Sequence, residues 1–272
     1  MEYAVKISGL FAAALAAVNL LAAEPVATSV TARQRYPGHR VPKAAVARPT
    51  GAEGEETAVS GEGFVPGPDP GGVQLWEGGP YWAECNGGAT KPEEYGYYFW
   101  WGDTGGYARN ASDDDWVSSR TGASFSFESG NCPTDNKTTA QLESAGYIDA
   151  TGNLVAKYDA ATAHLGAPWR MPTDAEFVAL TNNCTTTWTT RTGVYGRLVP
   201  GKGAFSTKSI FLPAAGYGND SALYSPGSGG LYWSSTPRSE NSVYAWYLFF
   251  HSDFFNRNYY ERYWGFPARP LR

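Results

Sequence analysis

The sequence predicts an α+β domain made of short strands, a few short helices and much irregular backbone. Three observations predict it. Gly (32) and Pro (18) punctuate the 272 residues, so turns recur throughout. Capping signals define three helices, none beyond about three turns. Hydrophobic content of 42% and aromatic content of 15% supply a sizeable core. Charged residues make up only 17% and the net charge is -5, which argues against a nucleic-acid partner.

Residues 1–23 read as a signal peptide. Lys6 precedes an apolar run from Ile7 to Ala23, and the small Ala22 and Ala23 suit cleavage before Glu24. The run is short for a membrane span, which needs roughly 20 residues. The alternative is an uncleaved anchor that tethers the chain to a membrane or envelope. Residues 24–72 read as a disordered linker. A basic half (Arg33 to Arg48) precedes an acidic half (Glu53 to Glu62), and no strand or helix period persists. A folded domain is expected over 73–272, in a secreted or surface-displayed protein.

Within it, Tyr97 to Trp101 reads as a buried strand between glycine-rich turns. Residues 103–136, rich in Ser, Asp, Gly and Asn, read as a long surface insertion. Thr138 to Gln141 fits a capping box with Gly146 as the stop. Asp159 caps Ala160–Leu165, with Gly166 as the stop. Thr173 to Glu176 fits a second capping box and opens a helix carrying Phe177, Val178 and Leu180. Strands follow at TTTWTTR, GRLVPG, SIFLPAAGYG, LYWSST, VYAWYLFF and the terminal GFPARPLR.

Candidate chemistry is sparse. Cys85, Cys132 and Cys184 permit one disulfide in an exported protein, or remain buried thiols. His39, His164 and His251 are scattered, and a Cys nucleophile needs a nearby base. The chain has no G-x-S-x-G elbow, P-loop or H-E-x-x-H. Asp113, Asp114 and Asp115 could ligate Ca²⁺, but a solvated acidic loop suits them better. The expectation is a protein with no enzymatic activity, metal or cofactor.

The final stretch, 231–272, holds fourteen aromatic residues and no Lys. Tyr, Trp, Asn and Ser give large contact area at low entropic cost, as in antibody loops. Val243 to Phe250 alternates apolar residues on both sides of a strand. Residues 253–264 interleave aromatics with Asn, Arg and Glu, which suits an exposed ribbon.

Several segments resemble known families. WRMPTDAEF at 169–177 resembles the W-R-L-P-T-E-A-E-W motif of the formylglycine-generating, sulfatase-modifying superfamily, and GFPARPLR at 265–272 resembles its closing strand. That resemblance implies a C-type-lectin-like fold. The superfamily's oxidases act through late cysteines; no Cys follows Cys184, so that activity is not carried over. The E-P-N, Q-P-D and W-N-D triplets of calcium-dependent sugar-binding lectins are absent. Trp82 to Asn86, GATKPEEYGYYFWWGDT at 88–104, FLPAAGYG at 211–218 and YWSST at 232–236 resemble the Fibrobacter succinogenes major paralogous domain of secreted bacterial proteins.

The chain also resembles the variable proteins of diversity-generating retroelements, which display a hypervariable C-terminal surface on a C-type-lectin-like scaffold. This implies a binding region over 217–264. Its candidate ligand-binding residues are Asp220, Tyr224, Ser225, Arg238, Glu240, Trp246, Phe249, His251, Asp253, Phe254, Asn256, Asn258, Tyr259, Tyr260, Arg262, Tyr263 and Trp264. The implied partner is a protein or glycan on another cell or a phage. A fixed adhesive or structural module of the paralogous-domain family is the alternative.

Overall fold

The structure is a computed structural model, and it describes residues 69–110, 114–239 and 243–272. The signal-peptide reading and nearly all of the linker reading lie outside the described residues, as does Glu240. Residues 69–72, read as the end of the linker, bond to the strands that follow. Gly72 already belongs to the first strand, and Glu84 N–H donates to Pro70 O at 3.3 Å.

Among the described residues the regular structure is mostly strand, in small sheets, with three short α-helices, as an α+β reading expects. β1 (Gly72–Gln74) pairs antiparallel with β2 (Tyr81–Ala83). The other side of β2 takes up the chain's last residues. Tyr81 N–H donates to Arg272 O at 2.8 Å and Arg272 N–H returns to Tyr81 O at 2.9 Å. β3 (Tyr98–Phe99), β4 (Tyr107–Asn110), β5 (Asp115–Ser118) and β6 (Ser124–Phe125) follow as an antiparallel series.

Residues 103–136 are therefore not a surface insertion. Trp116 and Phe127 are fully buried and pack with Tyr98, Trp100 and Tyr107 into a cluster of their own. Phe125 stacks on Tyr107. The Ser, Asp and Gly residues form the turns between these strands, and the aromatics between them are the core. The strand expected over Tyr97–Trp101 is shorter than read. Trp101 N–H turns to Arg262 O at 3.0 Å, and Gly102 at φ 76° redirects the chain.

The three helices fall where their caps predict. α1 (Thr139–Ser144) has its capping box closed in both directions, Gln141 N to Thr138 Oγ1 at 3.2 Å and Thr138 N to Gln141 Oε1 at 2.8 Å. α2 (Ala160–Leu165) starts on the buried Asp159 and stops at Gly166. Asp159 accepts from Thr162 N at 2.8 Å and its two oxygens accept from Met171 N at 3.1 and 2.9 Å.

α3 (Asp174–Asn183) opens on the Thr173–Glu176 capping box and buries Phe177 and Leu180. Arg170 grips Glu176 through two hydrogen bonds of 2.7 and 2.6 Å, so WRMPTDAEF folds as a self-bonded corner. Arg170 and Leu271 also exchange backbone hydrogen bonds of 2.9 Å, which joins that corner to the terminal GFPARPLR.

β7 (Thr187–Arg191), β8 (Val194–Pro200) and β9 (Ser209–Pro213) form an antiparallel meander, and β10 (Tyr217–Asn219) with β11 (Ala222–Tyr224) forms a hairpin. β12 (Gly230–Pro237), β13 (Tyr244–His251) and β14 (Phe254–Glu261) form a second meander, and β15 (Phe266–Pro267) returns beside β3. Leu248 and Phe250 enter one core with Phe177, Leu180 and Tyr232. Ala245 and Tyr247 enter another with Trp101, Trp233 and Phe266. β13 is thus covered on both sides along much of its length, which accounts for its lack of a polar face.

Cys85, Cys132 and Cys184 are all free and buried, so the disulfide alternative does not hold. Among the described residues, no helix is long and apolar enough to cross a membrane.

Candidate functional site

β14 organises the candidate site. Its register with β13 is unbroken, from Tyr244 opposite Glu261 to His251 opposite Phe254. Side chains alternate faces along a strand. Phe254, Asn256, Asn258 and Tyr260 therefore share one face with Phe249 and His251. Phe255, Arg257, Tyr259 and Glu261 share the other with Trp246 and Tyr244. The sequence-predicted set is split between two faces.

The first face carries an aromatic ridge. Tyr224 stacks on Tyr217 at 5.3 Å between ring centres, Tyr217 on Trp264 at 4.4 Å, and Trp264 meets Tyr260 at 4.1 Å. Asn258 and Asn256, both exposed, continue the line along β14. At its far end Phe254 packs against Phe249 at 5.5 Å and His251 at 5.8 Å. Tyr224 (39% exposed) and Phe254 (38%) are the open ends.

Burial pushes the Tyr260 phenol up to about 12 and raises those of Tyr217 and Tyr263, so all three stay neutral and able to donate. The charged groups among the predicted residues on this side are Asp220, in the β10–β11 turn, and Asp253, in the β13–β14 turn. Both are exposed, as is Ser225 after β11.

Three anchors hold the ridge. Gly218 and Gly265 exchange backbone hydrogen bonds of 2.8 Å, stitching the hairpin to the segment that leaves β14. Gly216, at φ 66°, lies so close to β11 that a Cβ there would sit 2.0 Å from Tyr224 O. Only glycine fits both demands. Arg197 on β8 is buried, and its guanidinium grips the tip of the β13–β14 turn. It donates to His251 O at 2.7 Å, Ser252 O at 2.8 Å and Phe254 O at 3.3 Å. We predict that Arg197→Met speeds amide exchange over Ser252–Phe254 by at least about tenfold, because removing the grip frees the turn without opening the core. Mass-spectrometric hydrogen exchange reads this, and an unchanged tip would refute the assignment.

The opposite face holds a different cluster. The Arg238 guanidinium lies 3.6 Å from the Tyr259 ring centre, and Arg257 lies 4.2 Å from that of Trp246 while pairing with Asp174 on α3. Trp246 meets Tyr259 edge-on at 5.4 Å. Arg238, Trp246 and Tyr259 therefore belong to a second patch.

Arg262 does not belong to either surface. It is wholly buried, with its guanidinium against Trp101 and its N–H groups donating to Tyr244 O (3.1 Å), Thr134 O (3.0 Å) and Lys137 O (2.8 Å). Read as one more polar residue in a ribbon, it lies one step past the end of β14, where the chain turns inward. Tyr263 packs partly into the Trp116–Phe127 cluster. Tyr217, at the centre of the stack, was missed. Its signal was modest, an aromatic flanked by Gly216 and Gly218.

A cleft of about 320 Å³ is lined by Asp149, Asn153, Asp159, Arg170 and Ser235, among others, and by none of the predicted residues. Asp159 and Arg170 are spent on the caps described above, and Asn153 Oδ1 accepts from Thr236 Oγ1 at 2.6 Å. Burial pushes the Cys132 and Cys184 thiols up to about 11 and His164 down to about 4. Among the described residues no group of His, Cys, Asp or Glu is arranged to hold a metal ion. Compared with known protein families, curated proteins and solved structures, the chain matches none.

Proposed function

We infer that the chain is an exported, non-catalytic binding protein, and that its ligand docks on the ridge running from Tyr224 through Tyr260 to Phe254. The observation that carries this is one face lined by half-exposed rings and amides over a tightly bonded frame. Aromatic residues that keep contact area while losing little entropy are what adaptable binding surfaces use. Burial holds the Cys132 and Cys184 thiols protonated and His164 neutral, which makes each a poor nucleophile or base.

In this reading the frame is a C-type-lectin-like fold of the paralogous-domain kind, and the ridge is a surface rewritten by a diversity-generating retroelement. The partner is a protein or glycan on another cell or a phage.

Deep sequencing of the gene's 3′ end across a host population, with its flanking DNA, tests the reading. Codons for Tyr224, Phe254, Asn256, Asn258 and Tyr260 should vary from cell to cell, at adenines of a nearby near-copy. Codons for Arg197, Gly216, Arg262 and Trp169 to Glu176 should stay fixed. Uniform codons with no near-copy would remove the retroelement and leave a fixed adhesive module.

A further inference from the structure

We propose that the outer edge of β14 is a self-association site, and that a second copy of this chain pairs with it as an antiparallel strand. Arg262 N–H donates to Val243 O at 2.9 Å, which sets the alternation of hydrogen-bonding groups along β14. Residues 254, 256, 258 and 260 direct their backbone groups to β13. Residues 255, 257, 259 and 261 direct theirs outward. Among the described residues no strand lies on that side, because the sheet order is β12-β13-β14.

Exposed edges are normally blunted by Lys, Pro, bulges or shortness. β14 has eight residues, no Lys, no Pro and an unbroken register. Among the described residues its closure is light, and at the end of the strand Trp264 N–H donates to Glu261 O at 3.2 Å. Asn256 Oδ1 accepts from Arg257 N at 2.8 Å and Asn258 Oδ1 accepts from Tyr259 N at 2.9 Å. Each amide oxygen occupies the place of a carbonyl from an adjoining strand, and can be exchanged for one.

The strand is also self-complementary. With Asn258 on the two-fold axis, outward residues meet outward residues. Arg257 faces Tyr259 of the second copy, and Phe255 faces Glu261. On the ridge side, Asn256 faces Tyr260. Moving the axis to Arg257 would set two guanidiniums against each other, and directly opposed like charges are destabilising. The favoured register makes one six-stranded sheet and joins the two ridges side by side. A bivalent surface of that kind gains avidity without any new ligand contact.

The register makes a sharp test. Asn258 meets its own copy at a non-hydrogen-bonded position, where Cα atoms lie about 4.5 Å apart, within disulfide reach. Under mild oxidation the full chain carrying Asn258→Cys should form a covalent dimer. The unsubstituted chain and Asn256→Cys should not. In sedimentation equilibrium the unsubstituted chain should show a concentration-dependent dimer. Tyr259→Pro removes an outward N–H at an edge where proline is tolerated, and should weaken that dimer by at least about tenfold relative to Tyr259→Ala, which removes the same ring and keeps the N–H. A monomer across the whole concentration series, crosslinking through Asn256→Cys instead, or a dimer no weaker with Tyr259→Pro than with Tyr259→Ala would each overturn the proposal. None of these outcomes bears on ligand binding by the ridge.

Discussion

Trp233→Ala should cost about 4 kcal/mol of folding stability, within the range for removing a large buried aromatic. Trp233 is fully buried on β12 and stacks on Phe266 at 4.0 Å between ring centres. Its indole N–H donates to Phe99 O at 2.9 Å, while the Trp101 indole donates back to Ser234 O at 2.8 Å. The two indoles lock β12 to the chain around β3 from both sides. Truncating one leaves a cavity and orphans a buried carbonyl, a further loss of about 1 kcal/mol or more. Set against a typical total of about 5–15 kcal/mol, that is a large share. Trp233→Phe keeps most of the stacking and should lose about half as much. Urea titration of both variants measures the difference, and a loss below about 1 kcal/mol for Trp233→Ala would show that the lock is not structural.

Arg269→Met should be the second most damaging change, at about 3 kcal/mol. Arg269 is fully buried, and no carboxylate among the described residues bonds to it. Its guanidinium donates to Asn86 Oδ1 at 2.9 Å, Ala83 O at 2.9 Å and Phe211 O at 2.8 Å, so one side chain ties β2, β9 and the terminal segment together. Methionine fills much of the volume but leaves these acceptors dry, at about 1–3 kcal/mol each, offset in part by relief of the buried charge. Lysine keeps the charge but loses the planar fork, so Arg269→Lys should recover only part of the loss. Thermal unfolding of the three proteins checks the order. Equal stability of the Met and parent chains would defeat the argument.

Local signals in the sequence were legible where a single residue type has a single physical job. Thr138, Asp159 and Thr173 each announced a helix, because a hydroxyl or carboxylate followed by the right partner satisfies otherwise orphaned N–H groups. The aromatic density of the last segment pointed to the ridge. Long-range signals were not legible. Trp116 and Phe127 sit in a Ser- and Asp-rich stretch, and their burial depends on Tyr98 and Tyr107, contributed by other strands. On paper Arg262 looks like Arg238 and Arg257. Which arginine turns inward is decided by strand parity and by carbonyls distant in sequence, and neither is visible in a linear pattern. The division of the candidate residues into two faces has the same origin, since a period of two becomes readable only once the register is known.

The pairing of Tyr81 with Arg272 has a practical consequence. Asp69 to Gly72, where the described residues begin, lie beside the segment at Arg272, and Arg272 reaches Asp69 at 3.4 Å. Segments with adjacent ends can be spliced into a loop of another protein without prying the host apart. The domain thus has the form of a cassette. Residues 69–272, presented in a loop of an unrelated carrier, are expected to keep the ridge intact.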